Sequence, residues 1–532
     1  MSLFGSLYVG ASGLQTSQNA LNTTAHNMTN VDTKGYTRQQ ILLGTRSYNT
    51  LSVSASAVAK QQCGLGVYYS QTRQVRDEFI DKMYRRESGR SAFYEANTEV
   101  LEEIEDLFGE FQGAEFSTAM EDLWTSIEEL SKNPCDLTNQ NLFVSSSEQF
   151  LIRAQLVYDG LCEKQDSLNA QVKKDVDLIN SYGKQLLELN KKITKIEAGG
   201  VEHANDLRDM RNSILDELSK MGNTSFSEDL YGNVSVQFEG IDFVKIDSYN
   251  KMELYQDGAT GFYTPYWSQL ASYKTNQYGE KVLNLEACEV YDQKQLISSQ
   301  YNTDVGTLRA ELLARGEKRA TYKDLENKDY YDENISQSIM MNTMAEFDSL
   351  INKVVTAING VLKGAAEREP DTSYMKDKDG NPLQLFQKVA DDGGFTIGNI
   401  VLNSDIKRDP SILSFRLKDG SEDAVTMKNL LKAFSEEEHT LNPNVATKTS
   451  LNKFYSSLIV QVTYTGEKNK EIANAQAATV NEAFSAREQV QGVSADEEME
   501  FMIKFQNAYN ASSRYINVIS ELMEHIITTL GR

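Results

Sequence analysis

The chain has 532 residues, a formal net charge of −24 and 24% charged side chains. That length exceeds what one hydrophobic core supports, so roughly three to four domains are expected. The acidic balance repels polyphosphates and anionic lipid, excluding nucleic acid as a partner, and no run of about eighteen apolar residues is present to insert into a membrane.

The N-terminal stretch predicts a helix. Leu3, Leu7, Gly10, Leu14, Ser17, Leu21, Thr24 and Met28 alternate steps of four and three, the a/d seam of a coiled coil. Gly and Ser in the seam permit close approach of a partner. Before His26 the helix carries no charge, whereas a solvated helix shows Lys and Glu on its outer face. Such a helix is packed on more than one side, and neighbouring subunits are the expected cover. The opening MSLFGSLYVGASGLQTSQ has no basic residue, so no cleavable export signal is expected, and by ordinary rules the chain would stay in the cytosol.

The helix then meets HNMTNVDTKGYTRQQ. Asn30, Asp32 and Gly35 are turn residues, and Gly35 tolerates positive φ. Tyr36 and Arg38 open an extended arm, RQQILLGTRS. Residues 1–74 are read as terminal helix, turn and arm.

Residues 75–223 read as a helical trunk. Leu168, Val172, Asp175, Ile179, Tyr182, Leu186, Leu189, Ile193 and Ile196 form a second seam, this time with Lys and Glu outside and Asp175 as its one polar member. Gly199-Gly200 ends it, and Asn205 to Met221 is a further amphipathic helix. Residues 224–305 alternate in the manner of strands and read as a β-rich insertion; Val234, Val236 and Phe238 share one face. Residues 306–364 return to helical trunk, with an apolar stripe from Ile335 to Leu362. Residues 365–449 are a small β and loop region in which FTIGNIVLN is the clearest strand and SEEEHTLNPN an acidic loop. Residues 450–493 are trunk helix again.

The last segment, 494–532, mirrors the first. Met502, Phe505, Tyr509, Ser512, Ile516, Ile519, Met523, Ile526 and Leu530 step by three and four. Ser494 and Glu497 have the spacing of a capping box. Each terminal helix is marginal alone, so the two are expected to pair. The fold class is mainly α with β-rich inserted domains: paired N- and C-terminal coiled-coil helices, a helical trunk, and one or two mixed β domains at the periphery.

Chemistry is poorly supported. His26, His203, His439 and His525 are scattered without metal-ligand spacing, and His439 follows three glutamates as a solvated loop would. Asp377, Asp379 and Asn381 flank Gly380, but the glycine is misplaced for a calcium loop and Lys388 occupies the place of its glutamate, so a tight turn is expected. Cys63, Cys135, Cys162 and Cys288 are far apart and read as unpaired thiols. No metal, no cofactor and no catalytic residue is expected.

The two ends together carry a resemblance. The first helix with AHNMTNVDTKGYTRQ, at Asn27, Asn30, Thr33, Gly35, Tyr36 and Arg38, resembles the signature of the bacterial flagellar axial family of rod, hook and hook-associated proteins. VSADEEMEFMIKFQNAYNASSRYINVISELMEHIITTL resembles its C-terminal counterpart. Length and middle segments resemble the hook-associated protein 1 group. The resemblance implies a non-enzymatic structural subunit at the hook–filament junction, outside the cell or in a periplasm that encloses the flagellum. It implies a ring of like subunits, hook protein below, and hook-associated protein 3 and filament above. It also implies passage through the flagellar type III export apparatus, with a cytosolic chaperone on the C-terminal helix. The implied assembly interface comprises Leu3, Leu7, Leu14, Leu21, Met28, Asn27, Asn30, Gly35 and Tyr36 at one end, and Met502, Phe505, Tyr509, Ile516, Ile519, Met523, Ile526 and Leu530 at the other. The alternatives are hook-associated protein 3 or the hook protein, for which the helical trunk is too long, a secreted enzyme or effector active in the 224–305 insertion, or a coiled-coil adhesin.

Overall fold

The computed structural model describes residues 3–52, 61–109, 116–200, 202–275, 279, 281–368, 375–391 and 393–530. In chain order, helix α1 (Leu3–Thr29) precedes strands β1 (Gln39–Thr45), β2 (Asn49–Ser52), β3 (Gln61–Cys63) and β4 (Val67–Gln74). Helices α2 (Glu78–Gly109), α3 (Phe116–Lys132), α4 (Leu137–Glu197) and α5 (Asn205–Met221) follow. Strands β5 (Thr224–Glu228), β6 (Val234–Phe238), β7 (Ile241–Val244), β8 (Met252–Gln256), β9 (Tyr263–Trp267), β10 (Tyr273–Thr275) and β11 (Lys281–Leu283) come next. Then come α6 (Thr307–Arg315), α7 (Lys328–Asn334), α8 (Ile339–Arg368), β12 (Phe386–Lys388), β13 (Ile400–Leu402), α9 (Ser404–Arg408), α10 (Ala424–Ser435), α11 (Leu451–Gln491) and α12 (Ala495–Leu530). Among the described residues no helix is long and apolar enough to cross a membrane.

The chain divides into two compact units. One comprises Met1–Gly89, Ile179–Lys251 and Gln476–Arg532, the other Arg90–Leu178 and Met252–Ala475. The divisions fall inside α2, α4 and α11 and between β7 and β8. The strands of 224–305 are shared out: β5–β7 belong to the first unit and β8–β11 to the second.

In the first unit β1 and β4 form an antiparallel arm, in register from Gln39↔Gln74 to Thr45↔Val67 with an irregularity after Leu42. β5, β6 and β7 make a three-stranded antiparallel sheet. The alternation read in β6 holds, with Val234, Val236 and Phe238 buried. Charge pairs tie the helices. Asp216 of α5 accepts Arg85 Nε of α2 at 2.6 Å and Arg487 Nη1 of α11 at 2.7 Å. Arg208 grips Glu197 with two bonds at 2.7 and 2.8 Å, the bidentate geometry that favours arginine.

The core of the second unit is helical. Phe116 lies at the centre of an aromatic cluster, with ring centroids 4.7 Å from Tyr455, 5.1 Å from Phe347 and 5.5 Å from Phe150. α8 is buried along nearly its whole length, so its apolar residues spread beyond a single stripe. Ile335, taken as the start of that stripe, instead follows the last residue of α7. The strand read in FTIGNIVLN shrinks to β13, because Ile397–Asn399 forms a 3-10 turn whose Ile397 N–H donates to the buried Asp348 at 2.8 Å. His439 is half-buried, and its main chain exchanges bonds of 3.1 and 2.7 Å with Thr449, so its loop is tethered rather than free in water. Asp377 closes a tight turn by accepting the Asp379 and Asn381 N–H groups at 3.0 and 2.8 Å. Cys135, Cys162 and Cys288 are free thiols; the Cys63 side chain lies outside the described residues.

Candidate assembly site

α1 and α12 pair antiparallel within one copy of the chain: Gly10 faces Ile516, and Gly13 faces Ser512. The approach is close because both α1 positions lack a side chain. A Cβ on Gly10 would sit 2.7 Å from Ile516 Cγ1, well inside contact distance. Of the α12 residues named in the sequence, Met502, Phe505, Tyr509, Ile516 and Met523 are half-buried, Ile519 is buried and Ile526 is 41% exposed. On α1, Leu7, Leu14, Leu21 and Met28 are half-buried. The side chains of Leu3 and Leu530 lie outside the described residues.

The deepest α1 positions are small and largely polar: Ser6, Ser12, Thr16, Ser17, Ala20 and Thr24. Two layers cover this helix, which explains the choice. α12 covers one side and the arm covers another. The Ser12 hydroxyl accepts the Val67 N–H of β4 at 3.3 Å and donates to Val9 O at 2.8 Å. Gly66 has φ +86°, and a Cβ there would lie 2.2 Å from Ser12 Oγ. The chain itself therefore supplies part of the cover expected from neighbouring subunits.

The signature turn is built around Asn27, which is 1% exposed. Its Nδ2 donates to Gln39 O at 2.8 Å, while its Oδ1 accepts the Tyr36 hydroxyl at 2.8 Å and the Gln39 N–H at 3.0 Å. One carboxamide thus fixes the end of α1, the aromatic of the turn and the first residue of the arm. Burial, then the carboxylates of Asp209, Asp206 and Glu498, push the Tyr36 hydroxyl pKa upward, keeping it a donor. Asn30 caps the last turn of α1, donating to His26 O at 2.9 Å. Gly35 has φ +81°.

Arg38 joins the two ends. Its Nε donates to Glu498 at 2.8 Å, its Nη1 lies 3.2 Å from Glu497, and its guanidinium sits 5.6 Å from the Phe501 ring centroid. Its own N–H donates to Gln491 O at 2.9 Å. Glu498 is almost wholly buried, at the first turn of α12 where the helix dipole also favours a carboxylate. The capping box read at Ser494 is only half made. Ser494 Oγ accepts the Glu497 N–H at a long 3.5 Å, and the Glu497 carboxylate turns to Arg38. Sequence reading included Arg38 in the signature but not its partners, which lie 460 positions away. Asp209 of α5 was also missed; it accepts Thr37 N–H at 3.3 Å and Gln74 Nε2 at 2.7 Å, fixing the arm from the other side.

The outer face of α1 before His26 is uncharged, whereas α12 also exposes Lys504, Arg514, Glu521 and Glu524. On α1 the exposed positions Phe4, Tyr8, Ala11, Gln15, Gln18 and Asn22 recur at steps of four and three. On α12, Tyr515, Val518, Leu522 and Ile526 form an exposed apolar row, with Ile527 beside it.

Comparison with known proteins places the sequence and the fold among flagellar proteins. Residues 101–365 match the family profile described as the flagellar hook-associated protein FlgK helical domain, and residues 7–37 that of flagella basal body rod proteins. Flagellar hook-associated protein 1 of Bacillus subtilis (strain 168) is 27% identical over 533 residues, covering 100% of this chain and 99% of the relative. The protein of that name from Escherichia coli (strain K12) is 23% identical, covering 97% and 98%. Among solved structures, the flagellar hook junction protein FlgK from Burkholderia pseudomallei has the same fold, with a TM-score of 0.54 at 11% identity over 78% of this chain and 100% of that one.

Proposed function

The chain belongs to the flagellar hook-associated protein 1 family, and from that premise we propose how it builds the junction between hook and filament. It is a structural component of the flagellum, and its relatives are structural flagellar proteins rather than enzymes. Copies associate side by side through the outer faces of the α1–α12 pair. The observation that carries this reading is the uncharged outer face of α1 beside the exposed apolar row of α12, left by a pair that is already packed along its own seam. Water gains nothing from such a surface, and burying it between copies releases about 25 cal/mol per Å2 of apolar area. The residues named in the sequence then divide in role. Leu7, Leu14, Leu21, Met28 and the α12 seam close the pair, Asn27, Asn30, Gly35 and Tyr36 set the turn, and Tyr8, Val518 and Leu522 meet the neighbour.

The ring of like copies stands on hook protein and carries hook-associated protein 3 and the filament. The chain leaves the cell unfolded through the type III export apparatus, with a chaperone holding the C-terminal helix, and it functions outside the cell or in an enclosing periplasm. Supporting this, the seam closes only when the two ends of the chain meet, and each helix alone exposes its apolar stripe.

The test is genetic. A strain carrying Tyr8→Glu with Leu522→Glu is expected to make hooks without filaments and to shed filament protein into the medium, while the purified variant keeps the unfolding midpoint of the parent. Normal filaments in that strain would overturn the interface.

A further inference from the structure

In the second unit a cleft of about 560 Å3 opens among α2, α8, α11 and the loops that precede α8 and α11. None of its lining side chains is charged, in a chain of which 24% of residues are. Seven of them are carboxamides, and the wall between them is aliphatic and aromatic. Asn97, Ser338, Thr343 and Asn442 at the cleft are more than nine-tenths buried, at 6%, 4%, 3% and 6% exposed. Ser338 donates to Ala314 O at 3.2 Å and Asn442 to Glu346 at 2.5 Å, while Asn97 and Thr343 line the cleft from α2 and α8.

The rest of the lining is held in place from beneath. Glu346, fully buried, accepts Asn342 Nδ2 at 3.2 Å, Asn442 Nδ2 at 2.5 Å and Gln461 Nε2 at 2.8 Å. One carboxylate thus orients three of the carboxamides. The Tyr331 hydroxyl donates to Asn342 Oδ1 at 2.7 Å, fixing that amide's other end. This is the preorganisation of a binding site: apolar walls, a few placed polar groups, and a volume within the ~300–1,000 Å3 of small-molecule pockets.

The lining selects the ligand class. A charged ligand would lose its hydration without a counter-charge. An extended polypeptide is read through the free edge of a sheet, and a helical one through a long apolar groove. Here the lining elements are mostly helices whose main chain is spent internally, and the polar side chains converge from several segments around the cleft. Such a perimeter suits a compact ring bearing hydroxyls on all sides, with carboxamides pairing to adjacent hydroxyls and the apolar wall taking the C–H face. We infer that the cleft binds a neutral saccharide of one or two pyranose units, free or as the end of a glycan, with Asn97 and Thr343 meeting its hydroxyls.

The full chain is titrated with glucose, galactose, N-acetylglucosamine and their β-linked dimers, by saturation-transfer NMR and calorimetry, alongside Asn97→Leu and Thr343→Val. At least one saccharide is expected to bind saturably, and each variant to weaken it roughly tenfold or more at an unchanged unfolding midpoint. If either variant fails to fold, Asn469→Ala at the half-exposed rim is expected to weaken binding likewise. The same sugar coupled to a carrier protein separates the two sources: equal binding marks a glycan end, and loss on coupling marks the free sugar. The inference is overturned by no saturable binding up to about 50 mM, by binding that all folded variants leave unchanged, or by uncharged tripeptides binding better than every sugar.

Discussion

Arg38 and Asn27 show how single side chains carry the joining of the chain's ends. Arg38→Ala removes the cation beside Glu498 and leaves a carboxylate buried at a helix start, which the dipole only partly compensates. Unfolding stability of the first unit is expected to fall by about 2 kcal/mol. Adding Glu498→Gln should recover part of that loss in denaturant titrations; equal loss in the single and double variants would mean the pair does not matter. Asn27→Ala strands the Gln39 main chain and the Tyr36 hydroxyl, so a cost of about 3 kcal/mol is expected, against about 1 kcal/mol for Tyr36→Phe, which removes one bond of the three. A reversed order of the two would contradict the network. The sequence exposed Asn27, Tyr36 and Arg38 as members of a pattern but not their partners. Glu498 and Asp209 look like ordinary surface acids until the fold brings them across hundreds of residues.

At the scale of elements, periodicity was a good guide where one partner covers one face. The α12 positions from Met502 to Met523 that step by three and four are buried or half-buried, whereas Ile526 is exposed, as the period of a two-helix seam predicts for its covered face. On α1 the same reading was incomplete. Its leucines are half-buried, and Ser6, Ser12 and Thr16, outside the seam as read, lie deeper, because the arm packs on a second side. Nothing periodic announces that contact; it depends on Gly66 in a left-handed conformation above Ser12. Two substitutions separate the contacts. Gly10→Leu overfills the α1–α12 seam at Ile516 and is expected to destabilise by about 3 kcal/mol, while Gly66→Ala strains the arm and costs about 2 kcal/mol. Hydrogen exchange should quicken in both α1 and α12 for the first and mainly in β4 for the second; the reverse pattern would contradict the packing. The sharing of residues 224–305 between units was equally invisible, since strands on either side of Lys251 have similar composition.

The whole molecule combines strong acidity with several buried carboxyls. Burial, reinforced by neighbouring acids, raises the Glu311 pKa to about 9 and the Glu289 pKa to about 7, and burial raises Asp348 and Asp209 to about 6. Each holds its proton more tightly folded than unfolded, so its contribution is full below the unfolded pKa and is lost as pH rises through the folded one. The unfolding midpoint is therefore expected to fall from pH 5 to pH 9, with Glu311→Gln flattening the upper part of that decline; a midpoint rising over this range would contradict the burial. The same scale holds the claim on which the function rests, that the outer faces of the terminal pair are buried only between copies. The most direct measurement is amide hydrogen exchange over residues 3–28 and 499–526, in the free chain and in the chain assembled at the hook tip. Exchange about a hundredfold slower in the assembly is expected, equivalent to about 2.7 kcal/mol of added protection. Equal protection in the two states would contradict it.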